Sequence, residues 1–150
     1  MPNTISFRDT AARVVLEDGI YFRYIFEEYK AEYDHLMDSG LYSKLVELNL
    51  LVTHQETDLS DKHSYKILIP EQIDFISLPF EWCYAQWRKV LLAYVDINLQ
   101  AIEYGMILKD ATPYNFCIIG CDAIMFDTTS FIFFKNDNKW LAYNQDRKST

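Results

Sequence analysis

A chain of 150 residues with 22 acidic and 14 basic side chains carries a formal net charge of -8. That excludes a general binder of nucleic-acid backbones and disfavours attraction to anionic membrane surfaces, since both draw on clustered Lys and Arg. Half of the residues are apolar and 16% are aromatic, enough for one buried core and too many for a disordered chain, while no apolar run approaches the roughly 20 residues of a membrane span.

In chain order, Ala12 to Leu16 and Ile20 to Ile25 are β-prone runs separated by Glu17-Asp18-Gly19. The Asp-Gly pair predicts a hairpin because glycine tolerates the positive φ of a tight turn. From Phe26 the pattern turns helical, with Tyr29, Tyr33, Leu36 and Met37 at spacings of three and four and Gly40 as a stop. A second helix over about Leu41 to Asn49 places Leu41, Leu45 and Leu48 on one side. Leu50 to Val52 and Tyr65 to Ile69 read as strands joined by the polar loop Thr57 to His63, the segment expected to be most mobile.

Pro79 precedes a crowd of aromatics, Phe80, Trp82, Tyr84 and Trp87, which reads either as a core patch or as a junction between the sheet-rich and helical halves, with Trp82 and Trp87 as an alternative lining for an adenine ring. The longest helical signal, about Glu81 to Tyr104, is apolar nearly all the way round, as expected of a helix at the centre of a domain. Lys135 to Lys139 reads as a polar turn, Trp140 to Tyr143 as a docking segment, and 146–150 as a polar, frayed tail. No repeat or linker divides the chain. One domain is expected over 1–145, with a sheet-rich part at about 10–78 and a helical part carrying a hairpin at about 80–134.

Cys83, Cys117 and Cys121 form an odd set with no C-x-x-C pair, and they read as ordinary reduced cysteines. The N-terminus lacks a basic region followed by an apolar one, so it does not read as a secretory signal. Both features set a cytoplasmic expectation. His35, His54 and His63 have no metal-ligand spacing and are expected in solvated or capping roles.

The chemistry concentrates between Lys109 and Phe131, where Asp110, Asn115 and Asp127 stand among strand-like residues. Two apolar runs, Phe116 to Ile119 and Ala123 to Phe126, flank Gly120-Cys121-Asp122, the outline of a hairpin with a three-residue loop. With position 121 as the pivot, Phe116 faces Phe126 and Asn115 faces Asp127. Oxygen ligands grouped this way suit Mg²⁺ held with substrate phosphates. The competing reading is structural: Asn115 and Asp127 cap the hairpin, and Asp110 bonds backbone N–H groups in a turn stiffened by Pro113.

The pattern Asp110-x-x-x-x-Asn115, hairpin, Asp127 resembles the catalytic loop and metal-binding Asp of protein-kinase-like phosphotransferases. The resemblance implies an α+β, protein-kinase-like fold, with a small antiparallel sheet lobe and a truncated helical lobe bearing the hairpin. It implies Asp110 as the base, Asn115 and Asp127 as Mg²⁺ ligands, and ATP as the nucleotide. Arg23 stands in for the ATP-pairing lysine, with Glu28 or Glu32 as its partner, and Lys109 is the second cation assigned to the cofactor. The chain departs from that pattern at Leu108-Lys109, where His-Arg is usual, at Asp127-Thr128-Thr129, where Asp-Phe-Gly is usual, and in having no G-x-G-x-x-G loop.

A second resemblance covers more of the chain. His35-Leu36-Met37-Asp38-Ser39-Gly40-Leu41-Tyr42, Pro79-Phe80-Glu81-Trp82, Leu108 to Asn115 and Phe126 to Phe131 occur in the order found in the N-terminal region of bacterial class I SAM-dependent methyltransferases of the nodulation type. In that family a methyltransferase domain follows, and Trp140 to Tyr143 is similar to the approach to it. No glycine-rich strand-to-helix turn for SAM is present, so neither SAM nor methyl transfer is expected of this chain alone. Two functions are therefore expected in competition: a nucleotide- and Mg²⁺-binding kinase-like domain, active or vestigial, and a non-catalytic accessory module that contacts a methyltransferase domain or another protein.

Overall fold

The computed structural model describes residues 3–4 and 9–135. The segment Trp140 to Tyr143, the polar tail and most of the turn expected at 135–139 lie outside the described residues. The chain is α+β. Its first half builds a five-stranded antiparallel sheet from β1 (Asn3–Thr4), β2 (Ala12–Glu17), β3 (Ile20–Phe26), β4 (His54–Glu56) and β5 (Ser64–Pro70), in the order β1-β2-β3-β5-β4. Two helices, α1 (Lys30–Asp38) and α2 (Leu41–Glu47), lie between β3 and β4 in sequence.

The β2–β3 hairpin forms where the Asp-Gly signal puts it. Asp18 and Gly19 have φ of 49° and 80°, the pair of positive angles that suits a two-residue loop to the twist of its strands. Arg23 and Ile25 fall on the buried face of β3 by period-two alternation, opposite Leu68 and Lys66 of β5. Ile25, Leu68, Tyr29 and Tyr33 close a first core under the sheet. The strand expected at Leu50 to Val52 is displaced: Leu51 makes a single parallel bridge to Met125, and the paired strand is β4, three residues on.

The second half is organised by α3 (Tyr84–Glu103), whose inner face, Val90, Ala93, Ile97 and Ala101, is buried. It packs with Leu36, Leu41 and Leu45 and with three short elements: β6 (Met106–Leu108), β7 (Phe116–Ile119) and β8 (Asp122–Met125). A final strand, β9 (Phe131–Phe133), pairs antiparallel with β6. Trp82 is 7% exposed within this core, meets Trp87 edge-on at 5.3 Å, and donates its indole N–H to Ser77 Oγ at 2.8 Å. Trp82 is thus a core residue with half-buried Trp87 against it, whereas Phe80 and Tyr84 of the same cluster are exposed.

The β7–β8 hairpin corrects the expected register. Phe116 pairs with Met125 and Ile119 with Asp122, leaving a two-residue Gly120-Cys121 loop instead of three residues. Gly120 has φ of 60° and occupies the first central position, which a type II′ turn reserves for glycine. A shift of one residue sends every side chain to the other face. Asn115 therefore stands opposite Phe126, whose N–H it accepts at 3.0 Å, and Asp127 lies beyond the ladder.

Candidate functional site

Asp127 follows β8 and opens a turn of 3₁₀ helix over Thr128–Ser130, capping it by accepting the Thr129 N–H at 3.1 Å. Its carboxylate is also the partner of Arg23, which reaches it from the underside of the sheet. Arg23 Nη1 donates to Asp127 Oδ1 at 2.5 Å and to Thr129 Oγ1 at 3.0 Å, and Nη2 donates to the Phe126 carbonyl at 3.2 Å. The remaining donors are Thr129 Oγ1, to Oδ1 at 2.8 Å, and Ser130 Oγ, to Oδ2 at 2.5 Å. The two side chains are 10% and 12% exposed, so the ion pair is shut away from water.

Burial opposes the charge on Asp127, but the Arg23 guanidinium, with the hydrogen bonds of Ser130 and Thr129 behind it, outweighs that and holds the pKa below the ordinary carboxylate value. Arg23 thus finds its partner 104 residues away at Asp127, and not at Glu28 or Glu32 on the following turn and helix.

The other sequence-predicted residues are near in sequence but differently engaged. Asn115 Nδ2 donates to Ser130 Oγ at 3.1 Å, so it reaches Asp127 through one intervening hydroxyl. Lys109 anchors the loop from β6: its N–H donates to the Ser130 carbonyl at 2.8 Å, and Nζ pairs with Asp9 Oδ1 at 3.0 Å. Asp110 comes next on that loop, half-buried, ahead of the turn Pro113–Asn115 that Thr112 caps. Tyr114 on this turn is exposed.

This donor set disfavours Mg²⁺. A carboxylate oxygen offers about two lone-pair positions; three donors crowd Asp127 Oδ1, and Ser130 Oγ takes one position of Oδ2. One of the four is a full positive charge, which would repel a divalent ion at the same oxygens. Among the described residues, no group of three or more His, Cys, Asp or Glu is arranged to hold a metal. Open clefts of about 720 and 590 Å³ lie elsewhere, one between α2 and the β4–β5 edge around Tyr42 and Glu71, the other around Phe26 and Lys62. Neither is lined by Asp110, Asn115 or Asp127.

A second polar network, which the sequence reading missed, ties α1 to the sheet edge. Tyr33 Oη donates to Glu56 Oε1 at 2.9 Å and therefore accepts from His54 Nε2 at 3.0 Å, while Glu56 is held by Lys66. His54 N–H donates to Tyr42 Oη at 2.9 Å. His54 is half-buried, not solvated or capping, and among the described residues its Nδ1 finds no partner. Burial is the main reason that its pKa falls from 6.5 to about 4. The alternation of His54 and Glu56 around Gln55 was the available signal, since residues two apart on a strand share a face.

No family model matches the chain. Over 80 residues, 53% of its length, the chain is 25% identical to the nodulation protein NoeA of Rhizobium meliloti (strain 1021), and the match spans 17% of that protein. Among the described residues no helix is long and apolar enough to cross a membrane.

Proposed function

We propose that this chain is a kinase-like domain without phosphotransferase activity, serving as the interaction module of a longer protein of the methyltransferase type. The observation that carries the reading is the internal pairing of Asp127: the carboxylate that would hold a metal bonds to Arg23, Thr129 and Ser130. Of the two cations expected to meet ATP, Arg23 is held in this pair and Lys109 is paired with Asp9. Phosphoryl transfer depends on metal ions that bridge and neutralise the phosphates, so a domain whose metal carboxylate is neutralised internally has lost the main electrostatic device of that chemistry.

The kinase-like part of the reading is supported by element order. A small antiparallel sheet comes first, then a long helix buried along one face, then a loop with Asp110 and Asn115 that enters a hairpin, with Asp127 at its exit. The limited similarity to one stretch of a much longer nodulation protein supports the view that such a domain works beside others.

Calorimetric titration of the protein with ATP in the presence and absence of Mg²⁺ tests this reading. The expected result is no Mg²⁺-dependent binding and no change on Asp127→Asn. Mg²⁺-dependent ATP binding that Asp127→Asn abolishes would restore the nucleotide-binding alternative and overturn this one.

A further inference from the structure

The central helix α3 is apolar on two sides. Its inner face fills the core, yet Leu91, Leu92, Val95, Leu99 and Ile102 on the outer face are 47 to 60% exposed. Single exposed apolar residues are ordinary, but five on one stripe of one helix form a contiguous patch of the kind that marks an interaction surface. Three rows along this stripe keep a spacing of seven: Arg88, Val95 and Ile102; Tyr84 and Leu91; Leu92 and Leu99. That is the 3.5-residue period with which one helix packs lengthwise on another, here over 20 residues or about 30 Å.

We propose that a second copy of this chain covers the face, with the two α3 helices antiparallel about a twofold axis at Val95. A twofold interface requires a surface complementary to itself, and the charges on α3 meet that condition. Basic Arg88 lies seven residues before Val95, and acidic Glu103 lies eight residues after it; both are exposed. Antiparallel placement sets Arg88 level with Ile102 and Glu103 of the second copy, and Glu103 level with Arg88, so each end of the contact carries one opposite-charge pair. Leu91 falls level with Leu99 of the other copy, and Val95 meets itself. A parallel pairing would set Arg88 against Arg88 and Glu103 against Glu103. Asp96, on the same seven-residue row as Glu103, would approach its own copy near the axis; that single like-charge contact lies with the charge pairs at the solvated rim, where repulsion is weak, and stands against two opposite-charge pairs.

The inference deepens the interaction-module reading by naming the partner, and its test is separate from nucleotide binding. The molecular mass in solution is measured by analytical ultracentrifugation over a concentration series of the full chain. The wild type is expected to be a concentration-dependent dimer. Val95→Asp is expected to be monomeric with an unchanged circular dichroism spectrum, because the side chain is on the surface. Arg88→Glu and Glu103→Arg should each weaken dimerisation about tenfold, and the double exchange should restore it. A wild type that stays monomeric at every concentration, a dimer indifferent to Val95→Asp, or a double exchange no tighter than the single ones would each overturn the proposal.

Discussion

Replacing Arg23 by Met leaves the Asp127 carboxylate buried without its cation. Removing one partner of a buried ion pair costs about 3–5 kcal/mol, because the remaining charge is neither solvated nor paired. Here the two hydroxyls and one amide that remain on Asp127 soften the loss, while the Phe126 carbonyl loses the Arg23 donor as well. We therefore expect a loss of about 4 kcal/mol at neutral pH, or a fall in Tm of roughly 8–16 °C for a domain of this size. Asp127→Asn keeps an oxygen for Thr129 but strands the guanidinium, and a loss of about 3 kcal/mol is expected.

The double variant removes both charges, and it should be less destabilised than the sum of the two by about 3 kcal/mol. Urea denaturation of the four proteins measures this coupling. The pH dependence adds a sign test. In the wild type the Asp127 pKa is depressed, so its contribution is fully present above the unfolded value and is lost as pH falls through the folded one. In Arg23→Met burial acts without the opposing cation and raises that pKa, so the deficit should shrink as pH falls. Additive single effects, or a deficit independent of pH, would refute the claim that these two groups form one buried unit.

Three further outcomes are expected. His54 is held neutral, with its pKa lowered to about 4, so its contribution to stability should fall as pH drops from 6.5 to 4 and then level off. Discounted for partial exposure, the drop is about 2 kcal/mol, and it should vanish from the pH profile of His54→Phe. Ile97→Ala opens a cavity on the inner face of α3 and should cost about 2–5 kcal/mol in urea denaturation, whereas Val95→Ala on the outer face should change the stability of the monomer by no more than about 0.5 kcal/mol. In hydrogen exchange, the Phe126 amide should be protected by its bond to the Asn115 carbonyl, as the two-residue hairpin loop requires.

Local signals carried most of the first half of the fold. Asp18-Gly19 predicted a hairpin because the turn requires positive φ at both positions, and the period of Tyr29, Tyr33 and Leu36 marked the buried face of α1 with the turn before it. The long apolar helix was legible, though not that one of its apolar faces would stay open. Non-local pairings were not legible. Met106–Leu108 and Phe131–Phe133 are three residues each, and nothing in either segment specifies the other.

The hairpin register slipped by one because Gly120-Cys121-Asp122 was read as a three-residue loop, when glycine followed by any residue is also a two-residue signal. Arg23 and Asp127 were both singled out for chemistry, yet a separation of 104 residues gave no hint that they would neutralise each other.

The claim that Asp127 is consumed inside the protein is tested most directly at its own carboxyl carbon. With ATP present and Mn²⁺ added as a paramagnetic substitute for Mg²⁺, the carbon-13 signal of the Asp127 carboxyl should keep its position and width. Broadening of that signal by Mn²⁺, dependent on ATP, would put a metal at the carboxylate and contradict the account.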